Sequence, residues 1–210
     1  MPRQTREKIT DGAQLEQLLH HWFDLFNKHF YESKGEKLPD VIITFTGTPH
    51  AFGHMTSVPV WNNSEGEDKY ELNIDAHTLN RAPEKICATL LHEMAHLYNA
   101  VHGISDTSNS GFYHNSNYRK TAEDHGLNVE RDERYGWSIT TLSEEAVSYI
   151  NTLALKPITF SRKKGSRRHN LIRFVCPLHE KAPYKVIVYM SSDKPVCCGI
   201  CGSSLVAKPK

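Results

Sequence analysis

At 210 residues, with 39% hydrophobic and 23% charged side chains, the chain has room for one domain of about 150 residues and a small appendage, which excludes a second large domain. No stretch approaches the roughly 18 apolar residues of a membrane span, and the N-terminus lacks the apolar run of a secretory signal, so a cytoplasmic protein without membrane contact is expected. The net charge of +1 divides unevenly, with 13 Lys and Arg against 22 Asp and Glu in residues 1–150, then 12 against 2 in residues 151–210. That change of sign predicts two modules, the second attracted to a polyanion such as nucleic acid.

Leu15, Leu18, Leu19, Trp22, Phe23, Phe26 and Phe30 recur at three- and four-residue spacing, which predicts an amphipathic helix over about residues 11–32 with this face in the core. His20, His21 and His29 lie on it without a matching metal set and read as surface or packing residues. Strand-like runs follow at Val41 to Thr46, Met55 to Trp61 and Tyr70 to Ile74, with turn residues at 62–66. Pro83 and Glu84 suit a first helical turn, after which Ile86, Leu90, Met94 and Leu97 predict a helix with one buried side. A polar, glycine-containing loop over 103–111 leads into a helical pattern from Tyr118 through Ala122 to Gly126. Thr141 and Glu144 form a capping box that opens a further helix through Leu155.

The second of these helices carries His92-Glu93-Met94-Ala95-His96. Two imidazoles four residues apart lie one turn apart on a single face, so both reach one Zn²⁺, and Glu93 is placed to deprotonate a water there. A catalytic zinc takes three protein ligands and keeps a position for water. Spacing offers two histidines for the third. His102 completes a metzincin-like pattern with Asn99 where that pattern has glycine, whereas His114 follows a loop at the start of the next helix. Glu123 and Glu130 are the gluzincin-like alternatives, and Tyr113 and His54 are candidate oxyanion donors.

Ala51-Phe52-Gly53-His54 before a strand ending in Trp61, Glu71-Leu72-Asn73-Ile74, residues 90–99, Gly103-Ile104-Ser105-Asp106, and Gly111-Phe112-Tyr113-His114-Asn115 followed by Ala122-Glu123 and Gly126-Leu127 form a longer pattern. Through these residues the chain resembles the SprT-like zinc metallopeptidases, the family of the bacterial SprT proteins and the Spartan protease, over roughly residues 12–206. The resemblance implies that the histidine after the Gly-x-Tyr segment, His114, joins His92 and His96 on the catalytic zinc.

Cys176-Pro177-Leu178-His179 and Cys198-Gly199-Ile200-Cys201-Gly202 are two short knuckles on either side of the strand-like run Tyr184 to Met190. Cys176, His179, Cys198 and Cys201 make a closed four-ligand set for a structural zinc, in a module too small to fold on its own core. Cys197 competes with Cys198, and Cys87 reads as buried core. SprT-like proteins commonly carry such a ribbon, usually with four cysteines, so His179 departs from their pattern. Ahead of it, Arg162, Lys163, Lys164, Arg167 and Arg168 form a basic run suited to phosphates without sequence preference. Phe174, Tyr184 and Tyr189 are candidates to stack single-stranded bases.

The expected architecture is α+β: a compact zincin-like domain over 1–155 with a small three-stranded sheet and an active-site helix, a basic linker over 156–169 and a C-terminal zinc ribbon over 170–210. Two Zn²⁺ are expected, one catalytic and one structural. The resemblance implies an endopeptidase whose substrates are proteins bound or crosslinked to DNA, with single-stranded or non-specific DNA as the second partner. The alternative is a nucleic-acid-binding or transcription-associated accessory protein on a zincin-like scaffold, against which the intact Glu93 argues.

Overall fold

Asp11 begins the first helix of the computed structural model: its side chain accepts the Gln14 N–H at 2.9 Å, and α1 (Gly12–Phe26) follows. The spacing of its apolar residues turns Leu15, Leu19, Trp22, Phe23 and Phe26 into the core. The helix then widens into a π turn over Asn27–Tyr31 and tightens into a 3₁₀ turn over Glu32–Lys34. Asn27 gives this widening a purpose. Its buried amide accepts the Leu38 N–H at 2.9 Å and donates to the Leu38 carbonyl at 2.9 Å, pinning the chain as it enters the first strand. The structure describes residues 8–153, 155–163, 171–181, 185–191 and 194–208.

The first sheet comprises β1 (Val41–Thr44), β2 (Gly53–Met55), β3 (Trp61–Asn62) and β4 (Asp68–Ile74). β4 is central, parallel to β1 and antiparallel to both β2 and β3. The single strand expected from Met55 to Trp61 is interrupted. Thr56 and Val60 donate to the Glu71 and Lys69 carbonyls, while Ser57 to Pro59 loops out between them, Pro59 having no N–H to give. This break adds the short β3 to the three strands expected. Asn73, fully buried on β4, accepts from Thr44, Thr46 and the Thr46 backbone, and so fastens the loop after β1.

Pro83 occupies the first turn of α2 (Pro83–Val101), where a missing N–H costs nothing. Beyond the motif the chain forms β5 (Thr107–Ser108), β6 (Tyr113–His114), α3 (Ser116–Asp124), β7 (Leu127–Asp132), β8 (Gly136–Leu142) and α4 (Glu144–Thr152). The strands make a second sheet in the order β5-β6-β8-β7, which the sequence reading does not anticipate. Asn115 caps α3 through the N–H groups of Asn117 and Tyr118, and Ser143, rather than Thr141, caps α4.

The described residues thus form a mixed α+β fold with four α-helices and several small sheets. The chain divides into two compact units, Met1–Lys163 and Lys164–Lys210. The expected linker over 156–169 therefore divides as well. Ile158 bridges Ile9, and the Arg162 N–H donates to the Ala76 carbonyl at 2.8 Å, so the segment up to Lys163 runs along the first unit. In the second unit β9 (Ile172–Val175) lies between β10 (Ile187–Met190) and β11 (Val206–Lys208), antiparallel to each. No helix among the described residues is long and apolar enough to cross a membrane.

Asn27→Ala would leave the Leu38 N–H and carbonyl buried without partners. The expected loss is about 2–4 kcal/mol of unfolding free energy, read from the urea midpoint at unchanged slope.

Candidate metal centres

Helix α2 lies deep in the first unit, with Ile86, Cys87, Leu90, Leu91, Met94, Ala95 and Leu97 all buried. Its remaining face carries His92 and His96, one turn apart. The third imidazole, His114, comes from β6 and is held by backbone: its N–H donates to the Tyr135 carbonyl at 2.9 Å, and it stands opposite Gly136 of β8. The His114 Nε2 lies 3.2 Å from that of His92 and 3.1 Å from that of His96.

Each ring uses its other nitrogen elsewhere. His96 Nδ1 is 2.6 Å from Asp106 Oδ2, His114 Nδ1 is 3.3 Å from the Tyr135 carbonyl, and His92 Nδ1 is 3.1 Å from Thr140 Oγ1. A carboxylate and a carbonyl only accept, so His96 and His114 carry their protons on Nδ1 and turn Nε2 lone pairs towards the common point. Two lone pairs at such a separation repel one another unless a cation lies between them, and this donor set suits a metal ion. Burial and the neighbouring imidazoles oppose further protonation: His92 lies well below the ordinary histidine value and His114 is pushed down to about 4. Burial works against ionisation of Asp106, yet the hydrogen bonds from His96 and Asn99 help to outweigh it and keep this carboxyl below the usual range. The Tyr118 ring packs against all three imidazoles, at centroid distances of 4.5–4.8 Å.

Glu93 is only 4% exposed. Burial raises its carboxyl to about 7. The backbone of β2 lies against it: a Cβ on Gly53 would come within 2.8 Å of Glu93 Oε1 and 2.7 Å of the Asn73 carbonyl. Only glycine leaves room for the carboxylate beneath this strand.

Other sequence candidates lie elsewhere. His102 closes α2 by donating from Nδ1 to the Tyr98 carbonyl at 2.8 Å, with its ring stacked on Tyr98. Asn99, which stands where the metzincin-like pattern has glycine, is fully buried within the helix. Glu123 pairs with Arg119, and Glu130 lies exposed on β7. The Tyr113 hydroxyl accepts from Arg131 at 3.1 Å, and His54 is exposed on β2. Cys87 is buried, which pushes its thiol up. Sequence reasoning assigns no part to Asp106, Thr140, Tyr118 or Gly53. Only Asp106 and Gly53 fall inside the motif segments, and nothing in their spacing reveals what they touch.

The second unit brings Cys176, His179, Cys198 and Cys201 together, with all four ligand atoms within 4.8 Å of one another. Cys176 Sγ lies 3.4 Å from His179 Nδ1 and 3.6 Å from Cys201 Sγ, while Cys198 Sγ lies 3.5 Å from His179 Nδ1. The Cys176–Cys201 separation is too long for a disulfide, whose sulfurs sit about 2.05 Å apart, and all three distances suit ligands around one ion. Ser203 leads the hydrogen bonds that lower the Cys201 thiol to about 6, favouring the thiolate a metal requires. Cys197 is exposed and pairs through its backbone with Ser204, outside this cluster. Of the basic run, Arg162 and Lys163 are exposed, the Arg162 carbonyl accepting from His77 Nδ1 at 2.9 Å, whereas Lys164, Arg167 and Arg168 lie outside the described residues.

Comparison with family models, with curated proteins and with solved structures returns no match.

Gly136 combines a φ of +70° with a position where a Cβ would approach the His114 carbonyl to 2.2 Å. Gly136→Ala should therefore displace His114 and lower metal uptake by the three histidines at least about tenfold, while the Cys176 cluster keeps its metal. Cobalt titration separates the two sites, because only the cysteine cluster gives thiolate charge-transfer absorption.

Proposed function

We propose that the chain is a zinc-dependent endopeptidase of the SprT-like type, brought to DNA-bound protein substrates by its basic C-terminal segment and zinc ribbon. The observation that carries this reading is the convergence of the His92, His96 and His114 Nε2 atoms with Glu93 next in sequence to the first. Tetrahedral zinc, with bonds to nitrogen of about 2.0–2.1 Å, would space its ligand nitrogens about 3.3 Å apart. The observed 3.1–3.2 Å agrees with that spacing. Sulfur bonds of about 2.3 Å likewise account for the separations in the four-ligand cluster.

His92, His96 and His114 would hold the catalytic zinc, which supplies Lewis acidity to a water and to the scissile carbonyl. Glu93 then accepts the water proton and delivers it to the departing amine. Its burial strengthens this role, since a desolvated carboxylate is a better base than a hydrated one, and a neighbouring dication favours its ionised form. Cys176, His179, Cys198 and Cys201 leave no coordination position for water, so the second zinc is structural.

DNA recruitment rests on charge. Residues 151–210 hold 12 Lys and Arg against 2 Asp and Glu, and exposed Lys156, Arg162 and Lys163 begin that excess in the first unit.

Glu93→Gln should lower peptide hydrolysis by about 10²–10⁴-fold with both metals retained. Metal-replete wild type without DNA-stimulated proteolysis would favour the accessory-protein reading instead. Neutralising Arg162, Lys163, Lys164, Arg167 and Arg168 together should reduce the slope of log affinity against log salt by about 4, without changing DNA-independent hydrolysis. Fluorescence anisotropy with a labelled single strand measures that slope.

A further inference from the structure

Asp106 does not act alone on His96. Its Oδ2 also accepts from Asn99 Nδ2 at 3.1 Å, and Asn99 Oδ1 in turn accepts from Thr121 Oγ1 at 2.7 Å. Asn99 is fully buried and Thr121 is 6% exposed, so water has little access to compete for these bonds. The three groups come from α2, the loop after it and α3, and the loop is fixed independently. The Ile104 N–H donates to the Asn99 carbonyl at 2.8 Å, and the side chains of Asn115 and Asn117 both donate to the Ser105 carbonyl.

The chemistry of this chain permits one direction. An ionised carboxylate accepts only, so the Asn99 edge facing Asp106 is its NH₂. The opposite edge is then a carbonyl, and the single Thr121 proton points at it. Asp106, held from both sides, offers one oxygen to the His96 Nδ1–H and thereby leaves the His96 Nε2 lone pair facing the other two imidazoles.

We propose that Asn99 and Thr121 are positioning residues for the metal centre, setting the tautomer and orientation of His96 through Asp106. The proposal rests on the reading of His92, His96 and His114 as a metal site, and it assigns a task to two residues that touch neither metal nor substrate. It also explains why α2 carries a buried amide near its C-terminal end. A methyl group in place of the Thr121 hydroxyl would leave the buried Asn99 carbonyl unpaired and loosen the amide whose N–H holds Asp106 against His96.

Thr121→Val in the full-length protein tests this, with Thr121→Ser as the variant that restores the hydroxyl. Two readouts apply: Co²⁺ affinity of the histidine site by chelator competition, and ¹⁵N shifts of the His96 ring in metal-free protein, which report its tautomer directly. Thr121→Val should weaken Co²⁺ binding about tenfold or more and move His96 away from the pure Nδ1–H form, while Thr121→Ser stays within about twofold of wild type. Wild-type affinity and an unchanged His96 tautomer in Thr121→Val would overturn the proposal. If circular dichroism finds Thr121→Val unfolded, Thr121→Ala, which also removes the hydroxyl but suits a helix, is read by the same two criteria. Wild-type protein that takes up no metal at its histidines would defeat the metallopeptidase reading instead, and the tautomer comparison would still decide the role of Thr121.

Discussion

The first unit is organised around one electrostatic constraint, that the lone pairs of neighbouring imidazoles converge at one point. Nothing in the imidazole alone enforces this. For His96 and His114 it follows from what Nδ1 meets, a carboxylate and a backbone carbonyl, while the His92 Nδ1 lies against the Thr140 hydroxyl, which can donate or accept. The loop after α2 supplies Asp106, the turn between β7 and β8 supplies the Tyr135 carbonyl, and β8 supplies Thr140. The second sheet therefore holds the tautomers as well as carrying a ligand. Its tight approach at Gly136 is the geometric condition for placing His114 beside the helix that precedes it in the chain.

The first sheet meets the same helix from another side and governs Glu93. Strand β4 is anchored by Asn73, whose buried amide gathers the hydroxyls and backbone of the preceding loop, and β2 pairs with β4 so that Gly53 rests on the Glu93 carboxylate. A buried carboxylate is costly, and its ordinary response is to take up a proton. The rise of Glu93 to about 7 is that response to burial. A cation at the three imidazoles would oppose that rise, which links the convergence of the imidazoles to the charge of Glu93.

Much of this is legible in the sequence, for reasons that differ by residue. His92 and His96 can be paired because four-residue spacing has one consequence on a helix. His114 cannot be chosen over His102 by spacing, and only resemblance separates them. The structure supplies the physical difference, since His102 is occupied with the last carbonyls of α2 and stacked on Tyr98. Strands β7 and β8 escape notice because the buried alternation of Leu127 and Val129 is cut short by the charged run Glu130 to Arg134, which masks the period of two. Asn99 misleads for a related reason. Residue type suggests a turn, but a buried amide with partners on both sides is stable inside a helix, and such partners come from folding rather than from local sequence.

The two metal-capable groups depend on their surroundings in opposite ways. The histidine site sits on a core of large side chains, among them Trp22, Phe23, Phe26, Phe30 and Tyr31, which bury their surface whether or not an ion is present. Among the described residues of the second unit the buried cluster is Phe174, Cys176, Cys198 and Leu205, so half of it consists of candidate ligands. An ion held there would crosslink a small core, whereas one at the histidines would add to a core already packed. The same distinction fits their ligand sets: four donors close a coordination sphere, whereas three leave it open to chemistry.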